Sequence, residues 1–356
     1  MTPLELLYYL GYAGHRGYGT KKQKRLPARV ISIGNITLGG TGKTPATIAL
    51  THEAKQRGFM PCVLTRGYGG KAKGPCFVSR GEGPLMNAYD AGDEAFLMAE
   101  RLKGVPVVKG QNRYEAGMFA IRNLRVQTAH TQPEWIFILD DGFQHWGLFR
   151  DRDILLVDGI NPFGNRKLLP LGYLREPVSE IRRADIIVIT NTPPRYPSAL
   201  REEGKGGGES RHRSEITELI KEIKQHNPIA PVFFSEHRPA GFTTVAGDAY
   251  PLEWAKGREF YAFCGIGNPQ SFSKTLASTG ADIKCLKTFR DHYRFSPDDM
   301  KTIAADAEKT GAAWIVTTEK DIMRLRGFDL PKNLVALAIE FSAEKKLYDR
   351  VFLTTP

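Results

Sequence analysis

The sequence predicts an α/β protein: a mostly parallel sheet covered by helices on both faces, with a second, smaller α/β unit behind a hinge. Three observations carry this. An apolar, β-branched run, Ala28–Ile33, enters a glycine-rich turn over residues 34–45, and Ala46–Leu50 can then begin a helix. Apolar strands keep alternating with helical segments further along the chain, as parallel sheets require. The 356 residues, 41% hydrophobic and 25% charged, suit about two ordinary globular domains.

The first 29 residues stand apart. Pro3–Leu10 is apolar and aromatic, with Tyr12 and Tyr18 beyond it. Arg16, Lys21, Lys22, Lys24, Arg25 and Arg29 against Glu5 alone give this end a local charge of +5. The apolar run is shorter than the roughly 20 residues a membrane span needs, and no leading basic region or small-residue cleavage site marks a signal peptide. Composition leaves two readings open: an interfacial helix with a basic flank, or a helix packed on the domain with a solvated tail.

Residues 34–45 read Gly-Asn-Ile-Thr-Leu-Gly-Gly-Thr-Gly-Lys-Thr-Pro. Strand, glycine-rich turn, Gly42-Lys43-Thr44 and helix is the layout of a phosphate-binding loop. Glycines let several backbone N–H groups face one phosphate, and the helix N-terminus adds its positive dipole end. Thr37, Leu38, Gly39, Gly40, Thr41 and Gly42 form the cradle, Lys43 reaches the β- and γ-phosphates, and the Thr44 hydroxyl sits on Mg²⁺. The strict pattern has Gly where this chain has Thr37; Gly39 and Gly40 supply the flexibility instead.

Strands follow at Pro61–Thr65, Val105–Val108, Glu134–Leu139, Asp153–Asp158 and Ala184–Thr190, with helices at Asp93–Arg101 and Arg113–Asn123. Prolines, Gly206-Gly-Gly208 and mixed charges mark 193–214 as an exposed loop. The second α/β unit reads as strand Glu259–Cys264, a helix near 270–279 and strand Trp314–Thr318. These signals divide the chain into a segment 1–28, a phosphate-loop domain 29–235, a hinge 236–257, a smaller domain 258–338 and a return segment 339–356.

Three groups of polar residues stand where chemistry is expected. Asp140-Asp141 ends an apolar strand about a hundred residues after the phosphate loop, where a second acidic element holds Mg²⁺ directly or through water. Asp93, in Gly92-Asp93-Glu94, is either a helix N-cap or a carboxylate at the carboxyl edge of the sheet, where such folds bind ligands. His292 is a lone histidine in a charged stretch, by itself a surface residue more often than a catalyst.

Together these motifs resemble one family, the tetraacyldisaccharide 4′-kinases of lipid A biosynthesis. The matching segments are Gly34-Asn35 with Gly39–Pro45, Thr65–Gly69, Gly92–Glu94, Asp140–His145, Leu169-Pro170 with Leu174–Pro177, Gly265–Pro269, Asp291-His292 and Val316–Asp321. They run in family order from about residue 29 to 326. The resemblance implies transfer of the ATP γ-phosphate, with Mg²⁺, to the 4′-hydroxyl of a lipid disaccharide 1-phosphate at the cytoplasmic face of the inner membrane. It implies a P-loop α/β/α domain joined by a short β hinge to a smaller α/β/α domain. It assigns the catalytic base to Asp93 and its partner across the cleft to His292. Nucleotide and metal positions fall on Lys43, Thr44, Asp140 and Asp141, and active-site support on Glu94, His145, Arg175 and Glu176. It also turns the N-terminal segment into a membrane-associating start. The departures are Ala95 for a common Pro, Gly172-Tyr173 for Gly-Pro, and Tyr293 where many members have a second His.

A net charge of +11 points to an anionic partner: nucleotide, phosphorylated substrate, nucleic acid or acidic membrane. Of these the resemblance implies nucleotide, a lipid disaccharide 1-phosphate and the anionic inner-membrane surface. No nucleic-acid module is recognisable, and no obligate protein partner is inferred. Cys62, Cys76, Cys264 and Cys285 lack metal-ligand spacing and suit a reducing compartment. Two rival functions are a P-loop regulatory ATPase or GTPase and a basic membrane-binding scaffold without turnover. A guanine reader needs an Asn/Thr-Lys-x-Asp spacing, and in Thr317–Asp321 the Lys and Asp are adjacent.

Overall fold

A computed structural model describes residues 2–124, 133–192, 207–291 and 293–353. The chain opens with helix α1 (Pro3–Lys21), strand β1 (Arg29–Gly34) and helix α2 (Lys43–Gln56). There follow β2 (Met60–Thr65), β3 (Cys76–Ser79), α3 (Ala88–Ala91), α4 (Asp93–Arg101), β4 (Val107–Lys109), α5 (Arg113–Leu124), β5 (Trp135–Asp140), β6 (Arg152–Asp158) and β7 (Ile186–Thr190). Helix α6 (Gly207–His226) leads to β8 (Val232–Thr243), β9 (Ala249–Tyr250), β10 (Glu259–Cys264), α7 (Pro269–Ala277) and β11 (Asp282–Thr288). The chain closes with α8 (Pro297–Lys309), β12 (Trp314–Thr318), α9 (Glu319–Leu325), β13 (Leu334–Ala343) and α10 (Lys345–Phe352).

The strands form one sheet in the order β11-β10-β12-β13-β8-β7-β6-β1-β5-β2-β4-β3, with β9 on β8. It consists of two parallel blocks. Strands β7, β6, β1, β5, β2 and β4 pair in parallel in the first, and β11, β10, β12 and β13 in the second. One long antiparallel pair joins them: β8 starts beside β7 and then runs against β13 from Ser235–Ala343 to Thr243–Ala336. The segment expected as a hinge, 236–257, therefore contains the last two thirds of a 12-residue strand. The expected boundary at 338 falls inside β13.

The loop expected over 193–214 is corrected at its end. Residues 193–206 lie outside the described residues, but from Gly207 the chain is helical. Ile216, Leu219 and Ile223 recur at helical spacing and bury one face of α6, which outweighs the local glycine signal at the helix start.

The core explains the layers. Ala46, Leu50 and Ala54 of α2 pack with α10 on one face of the first block, where Phe59 and Phe352 stack at 5.5 Å. Ala116 and Ala120 of α5 cover the opposite face. A further cluster runs from one block to the other, with Phe96 and Leu97 of α4 sharing apolar contacts with Ile322 and Met323 of α9.

Strand order decides where the chemistry sits. The phosphate-loop strand β1 lies between β5 and β6, at the reversal of strand order where open α/β sheets bind ligands. The parallel register sets Ile33 beside Asp140, so the loop start and the acidic strand end are neighbours, about 4.8 Å apart.

Candidate active site

Lys43 is the first residue of α2, and Gly42 is its N-cap with no side-chain cap. The N-terminal N–H groups of α2 thus keep their donor capacity for an anion. Gly42 has φ +80°, and a Cβ there would lie 2.1 Å from His237 Nε2; both facts demand glycine. Asn35 organises the loop from inside. Its Nδ2 donates to Thr41 Oγ1 at 3.0 Å and Thr37 Oγ1 at 3.3 Å, and its Oδ1 accepts from Lys43 Nζ at 3.2 Å. Thr37 bridges to Leu174, and the Leu38 N–H donates to the Tyr173 carbonyl at 2.6 Å. Leu38, Gly39, Gly40, Thr41 and Thr44 line the same cleft.

The two aspartates ending β5 have opposite environments. Asp140 is buried, and its oxygens accept from the neutral hydroxyls of Thr65 at 2.9 Å and Thr47 at 3.3 Å. Burial, with Glu94 and Asp141 nearby, pushes its carboxyl up to about 7. Asp141 adopts φ +50°, uncommon for a residue with a side chain. This turn aims its carboxylate at Lys43 Nζ, 3.7 Å away, and at Arg175 Nη1, 2.9 Å away. Burial opposes ionisation of Asp141, but Lys43 and Arg175 outweigh it and hold the group below the usual range.

Arg175 and Glu176 act from one segment. Arg175 reaches into the cleft, and Glu176 is buried behind it, paired with Arg183 and accepting from Gln144. Gln144 Nε2 also donates to the Asn35 carbonyl at 2.7 Å. Helix α1 docks on this assembly: Tyr8 Oη donates to the Arg175 carbonyl at 2.9 Å, and Tyr12 Oη to Glu176 Oε2 at 3.1 Å. His145 sits aside from the cleft. Its Nε2 accepts from the Arg113 N–H at 3.3 Å, and burial with the charges of Arg113 and Arg150 lowers it to about 3.

Across the phosphate loop lies a cleft of about 890 Å³, walled by the loop and α2 on one side and by α7, α9 and β13 on the other. Glu94, rather than Asp93, lines it. Asp93 is the first residue of α4, and Gly92, whose Cβ would lie 2.5 Å from the Tyr68 carbonyl, holds the N-cap position. The cap reading of Asp93 is therefore corrected: its carboxylate, 22% exposed, pairs with Arg324 Nε at 2.6 Å. Glu94 pairs with Lys320 at 3.0 Å; burial opposes its ionisation, but Lys320 and Lys43 hold it low. His292 lies outside the described residues.

Several contributors carried no role in the sequence reading: Asn35 within the loop, Thr47 and Thr65 on Asp140, and His237 against Gly42. Arg113 is buried with its Nη2 donating to the Asp140 carbonyl at 3.3 Å. Polar residues beginning helices or ending strands beside the loop were the available signal. His237 had none, because it comes from β8, nearly 200 residues away.

A loop on β1, an uncapped α2 N-terminus, Lys43 and an acidic end on the adjacent strand define a P-loop nucleotide-dependent phosphotransferase. The comparisons agree. A family model, Tetraacyldisaccharide-1-P 4′-kinase, matches residues 1–354. A Tetraacyldisaccharide 4′-kinase of Syntrophus aciditrophicus (strain SB) is 38% identical over 331 residues, covering 90% of this chain and 82% of the relative. One from Halothermothrix orenii (strain H 168) is 36% identical over 341 residues, with coverages of 90% and 82%. The crystal structure of an "apo" form of LpxK from Aquifex aeolicus in complex with ATP matches with TM-score 0.69 and 31% identity, over 98% of this chain and 96% of that one. The chain belongs to the tetraacyldisaccharide 4′-kinase family: it is an ATP-dependent kinase of lipid A biosynthesis.

Proposed function

We propose that this cleft binds ATP along the phosphate loop and transfers its γ-phosphate to the 4′-hydroxyl of a lipid A disaccharide 1-phosphate, with Asp93 as the base. The observation that carries the reading is the meeting of Lys43, Asp140 and Asp141 at adjacent strand ends, opposite the acidic start of α4. Such transfer needs positioning and charge neutralisation more than covalent participation by the protein. Lys43 and the N–H groups of residues 37–44 take the β- and γ-phosphates. Arg175 and Lys43 keep Asp141 ionised. Asp93 accepts the proton of the attacking hydroxyl, and His292, on the opposite unit, is the proposed partner. Movement about the β8–β13 pair is the proposed route by which the cleft closes around both substrates.

The donor set suits Mg²⁺. Among the described residues no group of three or more His, Cys, Asp or Glu could hold a metal alone, and Mg²⁺ ordinarily takes one or two carboxylates plus phosphates and waters. Asp140 fits: it is a buried carboxyl hydrogen-bonded by hydroxyls, and a cation would restore its charged form. Asp140, Asp141 and the Thr44 hydroxyl would hold the ion, which would supply charge neutralisation for the phosphates. Asp140→Asn keeps the hydroxyl partners and removes a carboxylate that burial disfavours. It should retain the apo fold, with an unchanged thermal midpoint, while raising the Mg²⁺ needed for half-maximal rate. Unchanged Mg²⁺ dependence would remove Asp140 from the metal site.

Helix α1 supports a peripheral position at the anionic face of the inner membrane. One side is fixed to the protein by Tyr8, Tyr12 and the Arg16–Glu180 pair, while Leu4, Leu6, Leu7 and Leu10 stay exposed, Leu7 at 69%. No helix among the described residues is long and apolar enough to cross a membrane. Exposed apolar side chains beside basic residues bind an interface with salt-sensitive strength. Replacing Leu4, Leu7 and Leu10 together by Ser should lower sedimentation with anionic vesicles and leave thermal stability unchanged. Equal sedimentation of variant and parent would end the anchor reading.

The reaction is tested by incubating the protein with labelled ATP, Mg²⁺ and a lipid A disaccharide 1-phosphate. A doubly phosphorylated lipid is expected; label released only as inorganic phosphate would make the protein an ATPase.

A further inference from the structure

Two conspicuous stretches, Gly265–Pro269 and Val316–Asp321, line the cleft but carry no step of the transfer above. In the structure they converge on one side chain, Arg324 in the last turn of α9. Its guanidinium is only 7% exposed. Nη1 donates to Asp321 Oδ1 at 2.8 Å and to the Gly265 carbonyl at 3.2 Å. Asp321 is itself pinned: it accepts from the Gly265 N–H at 3.0 Å and the Thr318 hydroxyl at 2.7 Å, and its N–H donates back to Thr318. The remaining edge of Arg324 points out of this socket, and Nε donates to Asp93 Oδ2 at 2.6 Å.

We propose that Arg324 is a positioning residue for phosphotransfer, holding the Asp93 carboxylate in the orientation from which it takes the acceptor proton. The proposal rests on Asp93 being the base. Three features carry it. The planar guanidinium offers donors in a fixed fork, and here it joins Asp321 and the Gly265 carbonyl in the second unit to Asp93 in the first. Asp321 takes Nη1 of the same guanidinium that gives Nε to Asp93, so Asp93 shares the cation with a second, buried carboxyl rather than holding it alone. Third, the Glu94–Lys320 and Glu319–Arg101 pairs flank the contact and set α9 against α4 above the shared apolar cluster. Breaking a pair this buried costs stability, which the thermal midpoint reads separately, whereas about 1 Å of misplacement in a reacting group can cost roughly 10²-fold in rate, which kcat reads. The same contact makes base alignment depend on where the second unit sits.

The test is a double-mutant cycle on the full chain with ATP, Mg²⁺ and lipid acceptor, reading kcat, KM for ATP and thermal midpoint. Arg324→Met should lower kcat by about 10- to 100-fold with KM for ATP changed by less than about 3-fold, since its bonds to Asp93, Asp321 and the Gly265 carbonyl lie apart from the phosphate loop. Arg324→Lys restores the charge without the fork and should recover part of the loss. In an Asp93→Asn background, where no base remains to orient, adding either substitution should leave residual turnover nearly unchanged, the non-additivity of residues acting as a unit. A normal kcat in Arg324→Met overturns the inference. So does an equal fractional loss in both backgrounds, which marks a purely structural role. If Arg324→Met fails to fold, the cycle with Arg324→Lys decides by the same criterion. Near-normal turnover of Asp93→Asn alone would overturn the base assignment instead, so the two failures are distinct.

Discussion

Lys43→Ala is expected to abolish kinase turnover and weaken ATP binding together, with the chain still folded. The effect exceeds one lost contact. Lys43 stands beside three carboxyls and lowers the cost of ionisation at Asp140, Asp141 and Glu94. Without it, the approaching triphosphate meets those acids with Arg175 as the neighbouring cation on Asp141. Ground-state binding suffers from that repulsion, and the transition state loses in addition the charge that moves with the γ-phosphoryl group. Folding should survive, because Asn35 keeps its Thr37 and Thr41 contacts and Asp141 keeps Arg175. Turnover with labelled ATP, ATP affinity and thermal midpoint check this. Activity within about tenfold of the parent, near 1.4 kcal/mol, would remove Lys43 from the reaction.

Asp93→Asn is expected to lower kcat by about 10²- to 10⁴-fold, the usual contribution of a general base, while KM for ATP changes little. That range corresponds to roughly 3–5 kcal/mol in the transition state. The structural cost of the same change is smaller. Gly92 holds the N-cap position, so Asn at 93 leaves the cap intact and removes a first-turn charge worth about 0.3–1 kcal/mol together with the charge facing Arg324. Arg324 keeps Asp321 and the Gly265 carbonyl as partners, and the Asn oxygen can still accept from it. A large kcat loss without a matching drop in thermal midpoint is the expected signature. Near-normal kcat would make Asp93 an ion-pair residue only.

Much of this was legible in the linear chain. Glycine spacing before Lys43-Thr44 exposes the phosphate loop because a helix N-terminus that must reach an anion needs small residues immediately before it. Apolar runs at β1, β2, β5, β6, β7, β10 and β12 show because strands buried on both faces cannot be polar. Asp140 and Asp141 show because charge ends such a run abruptly. These are local consequences of burial and backbone geometry, and they sufficed for the fold class; the family came from the resemblance of the ordered motifs.

Other features were set only by tertiary contact. Strand order brings Asp140 beside Ile33 through the register of β1 and β5, a pairing across about a hundred residues. The N-terminal segment, ambiguous by composition, has one side fixed by Tyr8 and Tyr12 and another left exposed, because only packing reveals which face meets Arg175 and Glu176. Asp93 reads locally as a cap, yet Gly92 takes that position and Arg324, 231 residues later, takes the carboxylate. Sequence marks residues whose roles follow from their immediate neighbours. A carboxylate's orientation and partner depend on which distant cation the fold brings to it, and here that cation comes from the second unit.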